Sequence, residues 1–201
     1  MKIINDYEKE YGLISKDKSE RLDKFLEEHS LHRYKKSVLD EMHRINSITW
    51  NKFSFTLYLV PSATPRPRYC GKGNFFYVKG AGDNKKLFKY LVESEDVPFI
   101  YTACKVDIKS YFPIPNGMHP IDQILAEMGY IRPISKPDFD NVAKTYCDMI
   151  TGVILSDDCI IIEGNSSKYY SWKPRIEMTI EYMNDFDCEY NKKKCIKNDK
   201  K

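Results

Sequence analysis

Six cysteines occur in this chain, Cys70, Cys104, Cys147, Cys159, Cys188 and Cys195, yet no two stand in a CxxC spacing. That absence excludes the common zinc folds and leaves no compact disulfide framework to read. No apolar run approaches the roughly 20 residues that cross a bilayer, so no membrane segment is expected. No signal-like stretch opens the sequence, and the expectation is six reduced thiols in a cytoplasmic protein. Internal repeats and low-complexity stretches are missing, apart from a lysine-rich end. Gly71-Lys72-Gly73 is not followed by Gly-Lys-Ser/Thr, which excludes a phosphate-binding loop of that type. No serine or cysteine nucleophile is paired with a positioned histidine, so a covalent route has no candidate. A bulk excess of one charge is lacking too: 32 basic residues face 29 acidic ones, for a net charge of +3.

What is present is enough for a packed core. Of 201 residues, 42% are hydrophobic, and the length suits one core domain with an appendage or two very small domains. The distribution of charge says more than its total. Residues 61–90 carry seven basic residues against the single acid Asp83, a local excess of the kind that phosphates seek.

Along the chain, residues 1–50 read as helical. Leu22, Phe25 and Leu26 form one apolar stripe, Leu31, Val38, Leu39, Met42 and Ile45 a second, with Ser30 as a cap between them. His29, His32 and His43 in this region lack ligand spacing and read as surface histidines. Alternation predicts strands at Phe53 to Leu59, Phe75 to Val78, Phe99 to Ile108 and Arg175 to Tyr182. Between the first two lies Pro65-Arg66-Pro67-Arg68, a stiff loop that presents two arginines. Helices are expected at Asp83 to Glu93, with Lys85, Lys86 and Lys89 outward, and at Pro120 to Met128, ended by Gly129. His119 reads as an ordinary loop or cap residue. Ile160-Ile161-Ile162 suits a central strand. From Asn184 onward the chain turns polar, and Asn191 to Lys201 carries six lysines, consistent with a disordered basic tail. The expected fold class is α+β, a small mixed sheet with helices packed on it, preceded by a helical extension. Its expected boundaries are 1–50, 51–183 and 184–201.

The stretch from Lys136 to Asp158 is the most informative. Pro137 biases Lys136 towards extended backbone. Asp138 and Asp140 precede a helix whose stripe is Val142, Tyr146, Met149 and Ile150, stopped by Gly152. Val153-Ile154-Leu155 reads as a short strand, and Asp157-Asp158 precede the next apolar run. Two accounts of these carboxylates stay open. Asp138 or Asp140 can simply cap the helix, and Asp157-Asp158 can simply form a turn. Alternatively they converge, and a converging set needs a counter-charge because close like charges raise one another's pKa. A divalent metal is one such counter-charge. Lys144 is another, four residues after Asp140 on the same helical face.

The string Asp138-x-Asp140-Asn141-x-x-Lys144, then Asp148, Gly152-Val153 and Asp157-Asp158, resembles the signature of RusA-type Holliday junction resolvases. Those are small, metal-dependent, phage- and prophage-associated endodeoxyribonucleases, and the resemblance runs over roughly 53–182. It implies that Asp138, Asp140 and Asp158 hold Mg²⁺, with Mn²⁺ as a substitute, and that Lys144 is a catalytic cation. It implies branched DNA as substrate, a homodimer, and DNA contacts at Arg66, Arg68, Lys72 and Lys168. Family members commonly carry Gln two residues after the aspartate pair and an aromatic shortly before it. Here Ile160 holds the first of those places and Leu155 or Ser156 the second. Two alternatives accompany the resolvase expectation: an inactive DNA- or partner-binding relative, and a nuclease acting on flaps or RNA.

Overall fold

A computed structural model describes residues 15–63, 68–69, 75–76 and 97–198. The chain divides into two compact units, Met1–Thr49 and Trp50–Lys201.

In the first unit, helices α1 (Lys16–Glu28) and α2 (Lys35–Asn46) are joined by a short 3₁₀ turn, His32–Tyr34. Ser15 caps α1, its hydroxyl accepting from the Lys18 amide, while Lys35 and Asp23 form an ion pair. Leu26 and Leu39 are the buried side chains here. Ser30 does not cap the second helix. It sits at φ +55° in the turn, and the chain needs one further turn before Tyr34 opens α2.

The second unit is an α+β fold. Its main sheet comprises β1 (Trp50–Leu57), β4 (Cys104–Pro113), β5 (Ile161–Ser171) and β6 (Arg175–Met183), in the order β1-β6-β4-β5. β4 and β5 run parallel; the other neighbours are antiparallel. A parallel pair requires a crossover, and α3 (Pro120–Glu127) with α4 (Phe139–Ile150) supplies it. Two further short strands, β2 (Arg68–Tyr69) and β3 (Phe75–Phe76), pair antiparallel with each other.

Period-two alternation builds the core. Val106, Ile108 and Phe112 of β4 and Ile176, Met178 and Ile180 of β6 all point to one face and are buried. Against that face lies α4, with Val142, Tyr146 and Ile150 fully buried. Each such side chain contributes about 1.5–3 kcal/mol on leaving water, so α4 is the best-anchored helix of the crossover. The Tyr146 hydroxyl accepts from the Ser62 amide at 3.1 Å, which satisfies it inside the core.

Several expectations shift. β4 begins at Cys104, not Phe99, because Phe99 and Tyr101 are exposed and the stretch before Cys104 forms only an isolated bridge at Ile100. Val153-Ile154-Leu155 is a tight turn, not a strand: the Ile154 and Leu155 amides fold back onto the Ile150 carbonyl. Gly152, at φ +77°, enables this reversal, as expected for the residue past a helix end. The run beginning at Ile160 is not central. Asp158–Ile160 is a 3₁₀ turn and β5 is an edge strand, leaving Ile162 60% exposed. The polar C-terminal stretch forms helix α5 (Glu189–Asn198) where an irregular tail was expected. The helix expected at Asp83 to Glu93, and Tyr77 and Val78 of the second expected strand, lie outside the described residues.

Candidate active site

The loop 128–138 and helix α4 carry the acidic residues. Gly129 starts the loop at φ +82°, ending α3 as expected, and His119 caps that helix through its Nδ1. The peptide bond between Lys136 and Pro137 is cis. Asp138 occupies the N-cap position of α4, and its carbonyl accepts from the Val142 amide at 3.1 Å. Its side chain makes no capping hydrogen bond. An aspartate kept only as a cap would be expected to make that bond; this carboxylate is exposed and does not. Asp140 follows in the first turn, also exposed, where the helix N-terminus favours a negative charge.

One turn on, the Lys144 ammonium lies 3.3 Å from Asp148 Oδ1, with both side chains largely open to solvent. Asp140, Lys144 and Asp148 thus form a stripe along one face at four-residue spacing. Asp148 belongs to the sequence string but was not expected to hold a place in the site. The i, i+4 spacing from Lys144 was the signal available.

The second acidic group approaches α4 from the turn before β5. Asp157 Oδ1 accepts from the Cys159 amide at 3.0 Å, and this bond holds its carboxyl below the usual range. Asp157 is therefore the capping member of the pair. Asp158 behaves in the opposite way. Its pKa is raised, first by its hydrogen bond to Asp157, then by desolvation and by repulsion from Asp157 and Asp148, with Lys144 opposing. The same charges reach Cys147, whose thiol burial pushes up to about 11, Asp148 and Asp158 adding to the rise. Asp148, Asp158 and Lys144 therefore share one electrostatic neighbourhood along α4.

The donor chemistry suits a hard divalent cation, since Mg²⁺ and Mn²⁺ take carboxylate oxygens and keep several waters. Among the described residues, however, no three Asp, Glu, His or Cys side chains are gathered closely enough to cage an ion. The links that the structure does make run from Asp158 to Asp157, Asp148 and Lys144. Asp140 stands at the other end of that stripe, about 12 Å of helix rise from Asp148, and Asp138 precedes it at the N-cap, off the stripe.

The DNA-contact expectations divide. Arg66 and Lys72 lie outside the described residues, and Arg68 lies in β2, paired with Phe76. Lys168 sits in β5, and its ammonium donates to the carbonyls of Ser135 and Pro137 at 2.6 and 2.9 Å. Arg132, not singled out by any sequence pattern, stacks its guanidinium 3.6 Å from the Tyr169 ring centre. An arginine before a proline in a loop carries no periodic signal.

No helix among the described residues is long and apolar enough to cross a membrane. The chain is 33% identical over 132 residues to a Bacillus subtilis (strain 168) protein described as "Uncharacterized protein YqaN", a match covering 63% of this chain and 93% of that relative. Residues 59–181, which hold the whole acidic segment and most of the sheet, match the family described as endodeoxyribonuclease RusA. By the order of its acidic residues, by the α+β fold that carries them and by this match, the chain belongs to the RusA endodeoxyribonuclease family.

Proposed function

We propose that this protein is a divalent-metal-dependent endonuclease that resolves four-way DNA junctions, acting as a homodimer. The observation that supports this most is the state of the two aspartates at the ends of the segment. Asp138 holds a cap position without making the cap bond, and the Asp158 carboxyl is raised by its hydrogen bond to Asp157, then by desolvation and by repulsion from Asp157 and Asp148. Carboxylates kept for structure alone are expected to be satisfied by backbone amides, as Asp157 is.

Asp138, Asp140 and Asp158 would hold Mg²⁺, or Mn²⁺ by the same ligand preference. When bound, such an ion lowers the pKa of a water and polarises the scissile phosphate. Lys144, on the exposed face of α4, would meet the negative charge that gathers on the phosphate during hydrolysis. Its pairing with Asp148 keeps the ammonium on that face without burying it. The basic stretch around Arg66, Arg68 and Lys72, and the exposed Lys192, Lys193 and Lys194 of α5, would contact phosphates in a salt-sensitive manner. In this reading 51–183 is the nuclease core and 1–50 a helical extension. A four-way junction is cut in two strands related by a two-fold axis, and a C2 dimer offers two equivalent sites in that relation.

One observation favours a second reading, an inactive DNA-binding relative of the same fold: no three ligands are gathered among the described residues. Incubating the purified protein with a synthetic four-way junction in Mg²⁺, and again in EDTA, separates the two. Metal-dependent paired nicks support the resolvase; tight binding without nicks supports the binding protein. Asp140→Asn should abolish cleavage and leave junction binding largely intact. Cleavage by that variant at the wild-type rate would show the assigned site to be wrong. Flap, duplex and RNA substrates, run in parallel, test the choice of branched DNA.

A further inference from the structure

The loop that presents Asp138 wraps around the sheet's edge strand, and one charged side chain on each face of that strand holds it. Alternation decides which side chain does which. In the parallel ladder Ser110 pairs with Lys168 and Phe112 with Tyr170, while Tyr111 pairs with Tyr169. Ser110 and Phe112 are buried on the face that carries α4, so Lys168 projects to that face and Tyr169 to the other. From the core side, Lys168 passes Phe112, its ammonium 5.8 Å from the ring centre, to reach the Ser135 and Pro137 carbonyls. From the open side, Arg132 lies on Tyr169, and its Nε donates across the strand edge to the backbone carbonyl of Lys168. Tyr169 is itself backed by Tyr111 at 5.1 Å, with Arg175 3.7 Å behind Tyr111 and tied to Glu177.

We infer that Lys168 and Arg132 form a two-sided clasp that fixes the loop 132–137 and thereby aims the Asp138 carboxylate, and that Lys168 is a positioning residue, not a phosphate contact. This rests on the proposed role of Asp138 as a metal ligand. An ammonium with two carbonyls at 2.6 and 2.9 Å already has two of its three donors in use within the chain. Two charge-assisted bonds onto carbonyls two residues apart in a proline-containing loop fix where Asp138 leaves it. Ligand aim at this level matters because loss of an outer-shell partner costs about 10–100-fold in metal affinity, and a misplacement of about 1 Å can cost about 10²-fold in rate.

The test compares full-length Lys168→Met, Lys168→Arg and Asp138→Asn with the wild type on a synthetic four-way junction. Single-turnover cleavage at saturating enzyme, junction affinity across a salt series, and Mn²⁺ affinity by titration calorimetry are measured for each. For Lys168→Met the expected result is a cleavage rate about 10²-fold lower and Mn²⁺ affinity weakened about tenfold. Junction affinity and its salt slope should stay unchanged, and Lys168→Arg, which keeps the charged donors, should recover most of the rate. A salt slope reduced by about one with full cleavage at saturation would make Lys168 a phosphate contact and overturn the inference. If Lys168→Met fails to fold, Arg132→Met loosens the same loop from the exposed side and should show the same pattern. Wild-type cleavage by that variant would then overturn the clasp. Should Asp138→Asn cut normally, the functional reading itself fails; should Asp138→Asn be inactive while Lys168→Met cuts normally, only the clasp fails.

Discussion

Replacing Lys144 with methionine separates catalytic need from structural need. The ammonium sits 3.3 Å from Asp148, but the two side chains are 68% and 47% exposed, so the pair is a surface i, i+4 bridge. Such pairs are worth about 0.3–0.5 kcal/mol, and methionine is nearly as good a helix former as lysine. For a chain of this size, 1 kcal/mol moves the melting temperature by about 2–4 °C. Lys144→Met should therefore melt within about 2 °C of the wild type. Its effect on cleavage should be far larger. A donor placed to meet developing charge on a phosphate is worth about 10²–10³-fold in rate, or about 2.7–4 kcal/mol. Single-turnover cleavage of an end-labelled four-way junction in Mg²⁺, with a thermal melt on the same preparation, measures both. Cleavage within threefold of wild type would refute the catalytic assignment. A large drop in melting temperature would refute the placement of Lys144 on an exposed helix face.

Ile150→Ala, at a fully buried position of α4, should cost about 2–5 kcal/mol in denaturant unfolding, where a loss under 1 kcal/mol would put α4 outside the core. Tyr146→Phe removes the oxygen that accepts from the Ser62 amide and should cost about 0.5–1.5 kcal/mol in the same unfolding assay. The Cys104 and Cys147 thiols, raised to about 12 and about 11, should resist a thiol reagent at pH 8 until the protein is unfolded. Asp158 has a raised folded-state pKa, so its stabilising contribution is present when protonated and is lost as pH rises through that value. Asp157 is lowered, so its contribution is present above the ordinary carboxylate range and lost as pH falls through its folded value. Accordingly Asp158→Asn should melt higher than wild type at neutral pH in EDTA; an unchanged or lower melt would mean that Asp158 is not under repulsion.

The sequence revealed the pieces whose signal is local. The stripe Val142, Tyr146, Met149 and Ile150 is buried as its spacing required, and Gly152 turns the chain through a positive φ. Composition and alternation sufficed for an α+β fold. What stayed hidden was non-local. Ile160 to Ile162 look like an interior strand because three isoleucines in a row carry no sign of which neighbours they will have. Only the strand order shows β5 at the edge, with Ile162 in solvent. Val153 to Leu155 look like a strand by side-chain type, yet backbone bonds to Ile150 close them into a turn before any ladder can form. At the site, spacing singled out the acidic residues but left open whether they cap and turn the chain or converge. Which of Asp157 and Asp158 caps the turn depended on a single backbone amide, that of Cys159. Lys168 was legible as a basic residue but not as a clasp, because its partners are carbonyls more than thirty residues away in the chain.

The most direct test of the proposed chemistry is a crystal structure of the protein soaked in Mn²⁺, with the ion located by anomalous scattering. The account predicts one or more ions bound by carboxylate oxygens of Asp138, Asp140 and Asp158, with the Lys144 ammonium facing the open side. Ions found only away from these three side chains, or Asp138 and Asp158 sharing no ion at saturating Mn²⁺, would contradict it.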